Sequence, residues 1–342
     1  MTWAATPIAA RIAVRAGMVD QPKTGRFHTA PTPYLGGLAV AGGLLLVGIV
    51  ATGVNDQLLT ILACGFVLGA IGFMDDWRSV HPSVRVVVES GCGVALWIAG
   101  IRAGFFGVPA LDLALTVAFV VLITNTVNLL DNMDGLSSGV VAISAFTFFA
   151  IAAQRGDYLV ASLALVVAGA SLGFLRHNFP PASIFLGDTG SLMLGFFLSA
   201  LALKLDLMGP RGTIRALVVA LILAVPLFDT LLVIVARFRG KRKIYVGGAD
   251  HSSHRLSAHG YSARKVAVVT YAAQMICCGI ALALTSAPLS VIVASLIALS
   301  AVGVVLMIAM LRMPHPARDA DVLRLPESEP ALSREGIGLE SS

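Results

Sequence analysis

The sequence predicts an all-α polytopic membrane protein, a bundle of about 10–11 transmembrane helices. Of its 342 residues, 57% are hydrophobic and only 13% are charged. The mean hydropathy is +0.87. Soluble domains carry about 25% charged residues, so a soluble fold is disfavoured. The apolar residues are also grouped in runs close to the roughly 20 residues that a helix needs to cross a bilayer.

Eleven apolar runs account for the helix count, if a short first run over 3–16 is included. At about 1.5 Å per residue that run reaches only about 21 Å, against a hydrocarbon core of about 30 Å. We therefore expect the start of this sequence to lie inside a longer natural first helix. The remaining runs are 34–53, 57–74, 84–100, 111–128, 136–153, 158–175, 191–205, 214–236, 266–285 and 289–311.

These runs form one integral-membrane domain over residues 1–311, followed by a tail over 312–342. The tail carries four prolines, mixed charges and few large apolar residues. Such a composition cannot bury enough apolar surface to fold, so we expect a disordered tail.

Positive charge predicts the orientation of the bundle. With eleven spans the loops alternate between two sides, and nineteen of the 24 Lys and Arg residues fall on one of them. The positive-inside rule makes that side cytoplasmic. The sequence thus predicts a multi-pass protein of the inner (plasma) membrane, with its tail in the cytoplasm. Because topology accounts for the basic excess, no nucleic-acid partner is expected.

The polar clusters of the sequence lie in the loops of that same side. Asp75 and Asp76 directly follow one apolar run, and Asp188 stands where a glycine-containing loop turns into a helix. Backbone N–H groups at a helix N-terminus can hold an anion. A polar stripe ends another run, with one residue at every third position: Asn125, Asn128, Asp131 and Asp134.

Five aspartates that converge at one face require a cation. Hard carboxylate oxygens suit Mg²⁺, with Mn²⁺ as a substitute, and Mg²⁺ usually completes its shell with water and phosphate oxygens. Lys23, Arg26 and Arg255 are suited to bind phosphate. This combination favours phosphoryl transfer. The sequence contains neither G-x-x-x-x-G-K-[ST] nor H-E-x-x-H, which disfavours a P-loop enzyme and a zinc protease.

Ordered motifs carry a resemblance to a known family: D-D…P…R, N-x-x-N-x-x-D-x-x-D-G-L, F-L-G-D-x-G-S-L and H-x-x-H-R-L. Over about 17–260 the sequence resembles the polyprenyl-phosphate N-acetylhexosamine-1-phosphate transferases, the MraY/WecA superfamily of glycosyltransferase 4 type. The resemblance implies a cytoplasmic active site and Mg²⁺-dependent transfer of a sugar-1-phosphate from a UDP-sugar to a polyprenyl phosphate, with release of UMP. It further implies the first membrane step of cell-envelope glycan biosynthesis.

The resemblance also implies roles for individual residues. The expected catalytic residues are Asp75, Asp76, Asp131, Asp134 and Asp188. The expected metal ligands are Asp75, Asp76 and Asp188. The residues expected to bind substrate are Lys23, Arg26, Asn125, Asn128, Asn178, Phe185, His251, His254 and Arg255.

Departures from the family pattern reduce the range of expected substrates. The histidine loop reads His-Ser-Ser-His, sparser than in the MraY branch, which favours the WecA-like branch. The loop does not identify the sugar; the resemblance to that branch makes N-acetylglucosamine-1-phosphate the expected group. Asn132 and Met133 replace a Gly-Leu pair, and Arg26 replaces a lysine. A phospho-N-acetylmuramoyl-pentapeptide transferase is the alternative within the same class.

Alternatives from other classes are an anionic-solute transporter and a non-catalytic membrane scaffold. A transporter would place its polar groups near the midplane, often within inverted repeats, and neither feature is evident. Polyprenyl chain length, the pathway served and the oligomeric state, a homodimer included, remain open. So does the role of Asp229, a charge inside the run 214–236 that could face the site or hold helices together.

Overall fold

The computed structural model describes residues 1–21, 31–52, 55–205, 213–243 and 248–313. These residues fold into α-helices joined by short loops, with one pair of two-residue strands. Lys23 and Arg26 lie outside the described residues, as does the predicted tail beyond residue 313.

The elements are numbered in chain order. Strand β1 (Val19–Asp20) pairs antiparallel with β2 (Thr32–Pro33). The helices are α1 (Thr2–Arg15), α2 (Gly36–Thr52), α3 (Asp56–Trp77), α4 (Pro82–Ile98), α5 (Pro109–Leu130), α6 (Leu136–Gln154), α7 (Tyr158–Asn178), α8 (Gly187–Lys204), α9 (Thr213–Ile222), α10 (Ala224–Arg239), α11 (Ser252–Ala258), α12 (Ala263–Leu284) and α13 (Leu289–Arg312).

Every predicted run coincides with helix, and the prediction of an all-α multi-pass membrane protein is confirmed. Within the described ranges, α3, α5, α6, α7, α12 and α13 are each long and apolar enough to cross a membrane. Helices α9 and α10 meet the same criteria together, but they are bent by 80° where they join. The predicted run 214–236 therefore corresponds to two helices with a sharp bend between them.

Proline chemistry explains the bend. Pro226 has no N–H, so it cannot donate to the carbonyl of Ile222 four residues earlier. That carbonyl accepts instead from Ser144 Oγ at 2.9 Å and from Gln274 Nε2 at 2.7 Å. The side chain of Gln274 also accepts from the Val225 N–H at 3.3 Å. Two polar side chains from α6 and α12 thus satisfy the backbone that the break exposes.

Helix α8 lies at the centre of the bundle and packs on α2, α3 and α5. All its residues from Thr189 to Leu203 are buried. Glycines let neighbouring backbones approach its N-terminal end: a Cβ on Gly72 would collide with the Asp188 carbonyl, and one on Gly37 with the Gly190 backbone. We call this contact the glycine seam, which comprises Gly37, Gly72 and Gly190.

A short backbone ladder fixes the loop that leads into α8. Gly36 and Gly37 donate their N–H groups to the carbonyls of Phe185 and Leu186 at 3.0 and 2.8 Å. The Phe185 N–H donates to the Pro33 carbonyl at 2.8 Å. The start of α8 is therefore held by α3 on one side and by the segment before α2 on the other.

The glycine seam leads to a stability prediction. Gly72→Ala should lower the free energy of unfolding by about 1–3 kcal/mol, the usual cost of overpacking, because backbone atoms must move to admit the methyl group. Gly91→Ala is the matched control, because Gly91 is also helical but its Cβ would meet nothing within 4 Å. Thermal unfolding in detergent measures both, and equal melting temperatures for the two variants would contradict the prediction.

Candidate active site

A cavity of about 940 Å³ opens at the end of the bundle where α3 and α5 end and α8 begins. We call this end the aspartate face. Eight of the residues predicted to form the site line the cavity: Asp76, Asn128, Asp131, Asp134, Asn178, Phe185, Asp188 and His254. Residues up to 178 positions apart, counted from Asp76 to His254, therefore meet as the motifs predicted.

Asp76 caps the N-terminus of α8. Its carboxylate accepts the Asp188 N–H at 2.8 Å, the Thr189 N–H at 3.0 Å and the Thr189 hydroxyl at 2.8 Å. Gly187 precedes these donors at φ +70°, and a Cβ there would lie 2.7 Å from Asp76 Oδ2. The anion expected at this helix N-terminus is thus a side chain of the protein itself. The Asp76 carboxylate accepts from N–H groups that have no partner within the helix. Its negative charge also interacts favourably with the positive end of the helix dipole.

Arg85 on α4 joins three polar side chains of the site. Its guanidinium donates to Asp75 at 2.7 Å, to Asn128 at 2.7 Å and to Asp188 at 3.3 Å. Asn128 in turn donates to Asp188 at 2.6 Å and to the Ser191 hydroxyl at 2.9 Å. Each oxygen of the Asp188 carboxylate is therefore held by a neighbouring helix, Oδ2 by Arg85 of α4 and Oδ1 by Asn128 of α5.

Asp75 takes a different position from the one expected of a metal ligand. Besides Arg85 it accepts the Val80 N–H at 2.7 Å, and it is not among the residues that line the cavity. Sequence reasoning did not count Arg85 as a site residue. The signal was present, because Arg85 is the arginine of the D-D…P…R motif.

Asn178 joins the two loops that flank the cavity. It accepts from the Gly135 N–H at 3.0 Å and from the Ser138 hydroxyl at 3.1 Å, and it donates to the Ile184 carbonyl at 3.0 Å. Asp134 adds a second link by accepting the Ala182 N–H at 2.8 Å. Asn178 was predicted to bind substrate, and the structure shows that its amide shapes the wall of the cavity.

Asp131 lies close to three other carboxyl groups of the site. Burial raises the pKa of its carboxyl well above the ordinary value, and three nearby carboxylates add to the effect. They belong to Asp188, Asp76 and Asp134. Because these charges repel, the cavity favours a cation between the carboxylates.

The donor set fits Mg²⁺ without a preassembled cage. The described part of the chain contains no group of three or more His, Cys, Asp or Glu side chains that could hold a metal by itself. Mg²⁺ is commonly bound through one or two carboxylates, with water and substrate phosphates completing the octahedron. Asp131 and Asp188 are suited to this role, whereas Asp76 is engaged as a helix cap.

The histidine loop is anchored by buried hydrogen bonds to two aspartates, Asp229 and Asp250. Asp229, 1% exposed, accepts from His251 Nδ1 at 2.7 Å and from the Ser252 N–H and hydroxyl at 2.7 and 2.6 Å. This settles the open role of Asp229: it positions the loop. His251 is consequently buried, and His254 is the histidine of this loop that lines the cavity.

Arg255 lies behind the loop rather than in the cavity. It is 3% exposed and donates to the Asp250 carbonyl at 3.1 Å and to the Met310 carbonyl near the end of α13 at 3.0 Å. Asp250 is paired with Arg237 at 3.1 Å and with Arg242. Arg255 was predicted to bind substrate, and the geometry gives it a structural contact instead.

Asn125 lies deeper in the bundle than the rest of the polar stripe. It donates to Glu89 Oε2 at 2.5 Å and to the Val121 carbonyl at 2.9 Å, and it does not line the cavity. In this structure its side chain joins α5 to α4, and its contact with substrate stays a prediction.

The repulsion around Asp131 leads to a second prediction. A carboxyl whose pKa is raised by folding destabilises the folded state at a pH above its ordinary pKa, so removing its charge should be stabilising. We expect Asp131→Asn to raise the melting temperature at neutral pH in EDTA. Differential scanning fluorimetry measures this shift, with Asp157→Asn, in a helix cap outside the cavity, as the control. A lower melting temperature for Asp131→Asn in EDTA would contradict the prediction.

Comparison with known proteins assigns the family. Residues 58–206 match the family model described as glycosyl transferase family 4. A probable undecaprenyl-phosphate N-acetylglucosaminyl 1-phosphate transferase of Bacillus subtilis is 37% identical over 277 residues, covering 78% of this chain and 77% of the relative. A decaprenyl-phosphate N-acetylglucosaminephosphotransferase of Mycobacterium tuberculosis is 33% identical, covering 79% of this chain and 76% of the relative.

A phospho-N-acetylmuramoyl-pentapeptide-transferase of Clostridium botulinum is 34% identical over 200 residues, but it covers only 52% of this chain and 60% of the relative. The similarity is thus more extensive toward the N-acetylglucosamine-phosphate transferases than toward this pentapeptide transferase. The chain belongs to glycosyl transferase family 4, in the WecA-like branch of the MraY/WecA superfamily, and is a membrane sugar-phosphate transferase.

Proposed function

We propose that this protein transfers N-acetylglucosamine-1-phosphate from UDP-N-acetylglucosamine to a polyprenyl phosphate, with Mg²⁺ as cofactor and UMP as the second product. The observation that carries the proposal is that Asp76, Asp131, Asp134 and Asp188 line one shared cavity at an end of an apolar bundle. The names of the relatives support the sugar and the lipid acceptor. The carboxylates that line the cavity support Mg²⁺ as the cofactor.

In the proposed reaction an oxygen of the lipid phosphate attacks the phosphorus that carries the sugar. The bond from that phosphorus to the oxygen of UMP breaks, so the diphosphate link of the donor is exchanged for one to the lipid. Both substrates are anions, and bound Mg²⁺ would neutralise charge on the transferring phosphoryl group. Asp131 and Asp188 are proposed to hold the ion.

The remaining residues are proposed to orient the reactants. Asp76 fixes the first turn of α8, and Arg85 and Asn128 fix the Asp188 carboxylate, so the ligands need little rearrangement when the cation binds. The aromatic ring of Phe185 lines the cavity and offers a face on which the uracil can stack. His254 also lines the cavity, and we propose that it contacts the donor phosphates or sugar.

The position of the cavity suits a substrate that is anchored in lipid. It opens at the ends of apolar helices, where a lipid phosphate would meet a water-soluble nucleotide. We propose that this face is cytoplasmic and that the membrane is the inner (plasma) membrane. The concentration of Lys and Arg on the same side supports that orientation.

The assay for this proposal is UMP release by purified protein in detergent. We expect release only with UDP-N-acetylglucosamine, a polyprenyl phosphate and Mg²⁺ all present, and none in EDTA. Asp188→Asn should lower kcat about 100-fold or more, because charge stabilisation of the transition state is lost. Asp157→Asn, which leaves the cavity intact, is the control.

The possible outcomes separate the substrate from the reaction class. Release with another UDP-sugar but not with UDP-N-acetylglucosamine would refute the proposed donor and keep the transferase. Folded protein that releases no UMP with any donor would refute the reaction itself.

His254 and Arg255 give a paired test of the histidine loop. His254→Ala should raise the KM for the donor about tenfold, the size of one lost hydrogen bond to a charged group. Arg255→Ala should lower the melting temperature and change that KM little, because it removes contacts to Asp250 and Met310. Steady-state kinetics and thermal unfolding measure the two effects, and the reverse pattern would show that Arg255 binds the donor.

A further inference from the structure

A buried carboxylate lies next to the site without being part of the cavity. Glu89 on α4 is 0% exposed, and one of its oxygens accepts from Asn125 Nδ2 at 2.5 Å. The other oxygen, Oε1, has no hydrogen-bond partner among the described residues. None of the motifs and none of the contacts of the cavity assign a role to this residue.

An acid at this depth requires a compensating charge. A carboxylate in the interior of a membrane bundle is costly, and such groups are retained where they pair with an opposite charge. Arg85 is four residues earlier on the same helix, so the two side chains lie on one face about 5–6 Å apart at their Cβ atoms.

Arg85 therefore has anionic neighbours on two sides. On the cavity side it contacts Asp75 and Asp188, and on the buried side Glu89 lies one turn away. A negative charge on Glu89 offsets part of the positive potential that Arg85 exerts on the cavity. The cavity is then more favourable for a cation than it would be with Arg85 alone.

We propose that Glu89 is a positioning residue that strengthens binding of the divalent cation by balancing the charge of Arg85 from the buried side. This inference rests on the proposed function, because it requires that the cavity bind Mg²⁺. Glu89 touches neither the cavity nor the cation and acts through Arg85. A purely structural role, joining α4 to α5 through Asn125, would affect stability and leave cation affinity unchanged.

The test measures Mg²⁺ binding directly, apart from catalysis. Wild type and Glu89→Gln are purified in detergent, and isothermal titration calorimetry and the melting temperature are recorded against Mg²⁺ concentration. Glutamine keeps the shape of the side chain and an oxygen for Asn125, and it removes the charge. We expect the apparent Kd for Mg²⁺ to rise about tenfold or more, because one negative charge near the site is lost.

Asp112→Asn is the matched control. Asp112 is also a buried carboxylate, 7% exposed, and it accepts the N–H groups of Phe105 and Phe106 at 3.1 and 2.8 Å. It lies at the start of α5, about 24 Å along the helix from Asn128. Its loss should lower the melting temperature and leave the Kd for Mg²⁺ unchanged.

Glu89→Asp keeps the charge and shortens the reach to Asn125, so its Kd should stay close to that of wild type even if its melting temperature falls. An unchanged Kd in Glu89→Gln, or the same rise in Glu89→Asp or Asp112→Asn, would overturn the inference. If wild type itself binds no Mg²⁺, the metal dependence of the proposed function fails as well. Binding by wild type with no effect of Glu89→Gln refutes only the role of Glu89.

Discussion

The capping of α8 by Asp76 is the interaction on which the rest of the site depends. This one carboxylate satisfies the first N–H groups of the central helix, and it thereby places Asp188 at the cavity and ties α3 to α8. The glycine seam and Gly187 allow the contact geometrically, because a Cβ at Gly72 would collide with the Asp188 backbone and one at Gly187 with the Asp76 carboxylate. Fold and site are thus specified by the same few atoms.

Charge compensation organises the site around that cap. Carboxylates predominate in the cavity, and the described cation closest to them, Arg85, is shared between Asp75 and Asp188. The histidine loop follows the opposite principle. Each of its buried carboxylates has side-chain partners, Asp229 with His251 and Asp250 with Arg237 and Arg242, and these contacts hold the loop in place. The cavity, lined by several carboxylates, is the part of the molecule proposed to receive the cation and the phosphates.

Hydropathy and motif spacing were sufficient to predict the helical runs and the meeting of Asp131, Asp134 and Asp188, because both signals are local in the chain. The direction in which each side chain points could not be predicted from the sequence. Arg255 and Asn125 belong to the right segments but point at Met310 and Glu89, since the rotation of a helix depends on its neighbours. The bend at Ile222 likewise depends on Ser144 and Gln274, which are distant in sequence and complete the backbone there.

The glycine seam has a consequence for how this protein can vary. Where side chains interlock, a change in one can be absorbed by a new rotamer of another. Where backbone meets backbone there is nothing to repack, so the distance between α3 and α8 cannot be adjusted in small steps. Exposed positions, such as most of those in α13, can be substituted without affecting the packing of the bundle. The glycine seam therefore fixes the distance between α3 and α8, and the backbone of these helices determines where the site carboxylates lie.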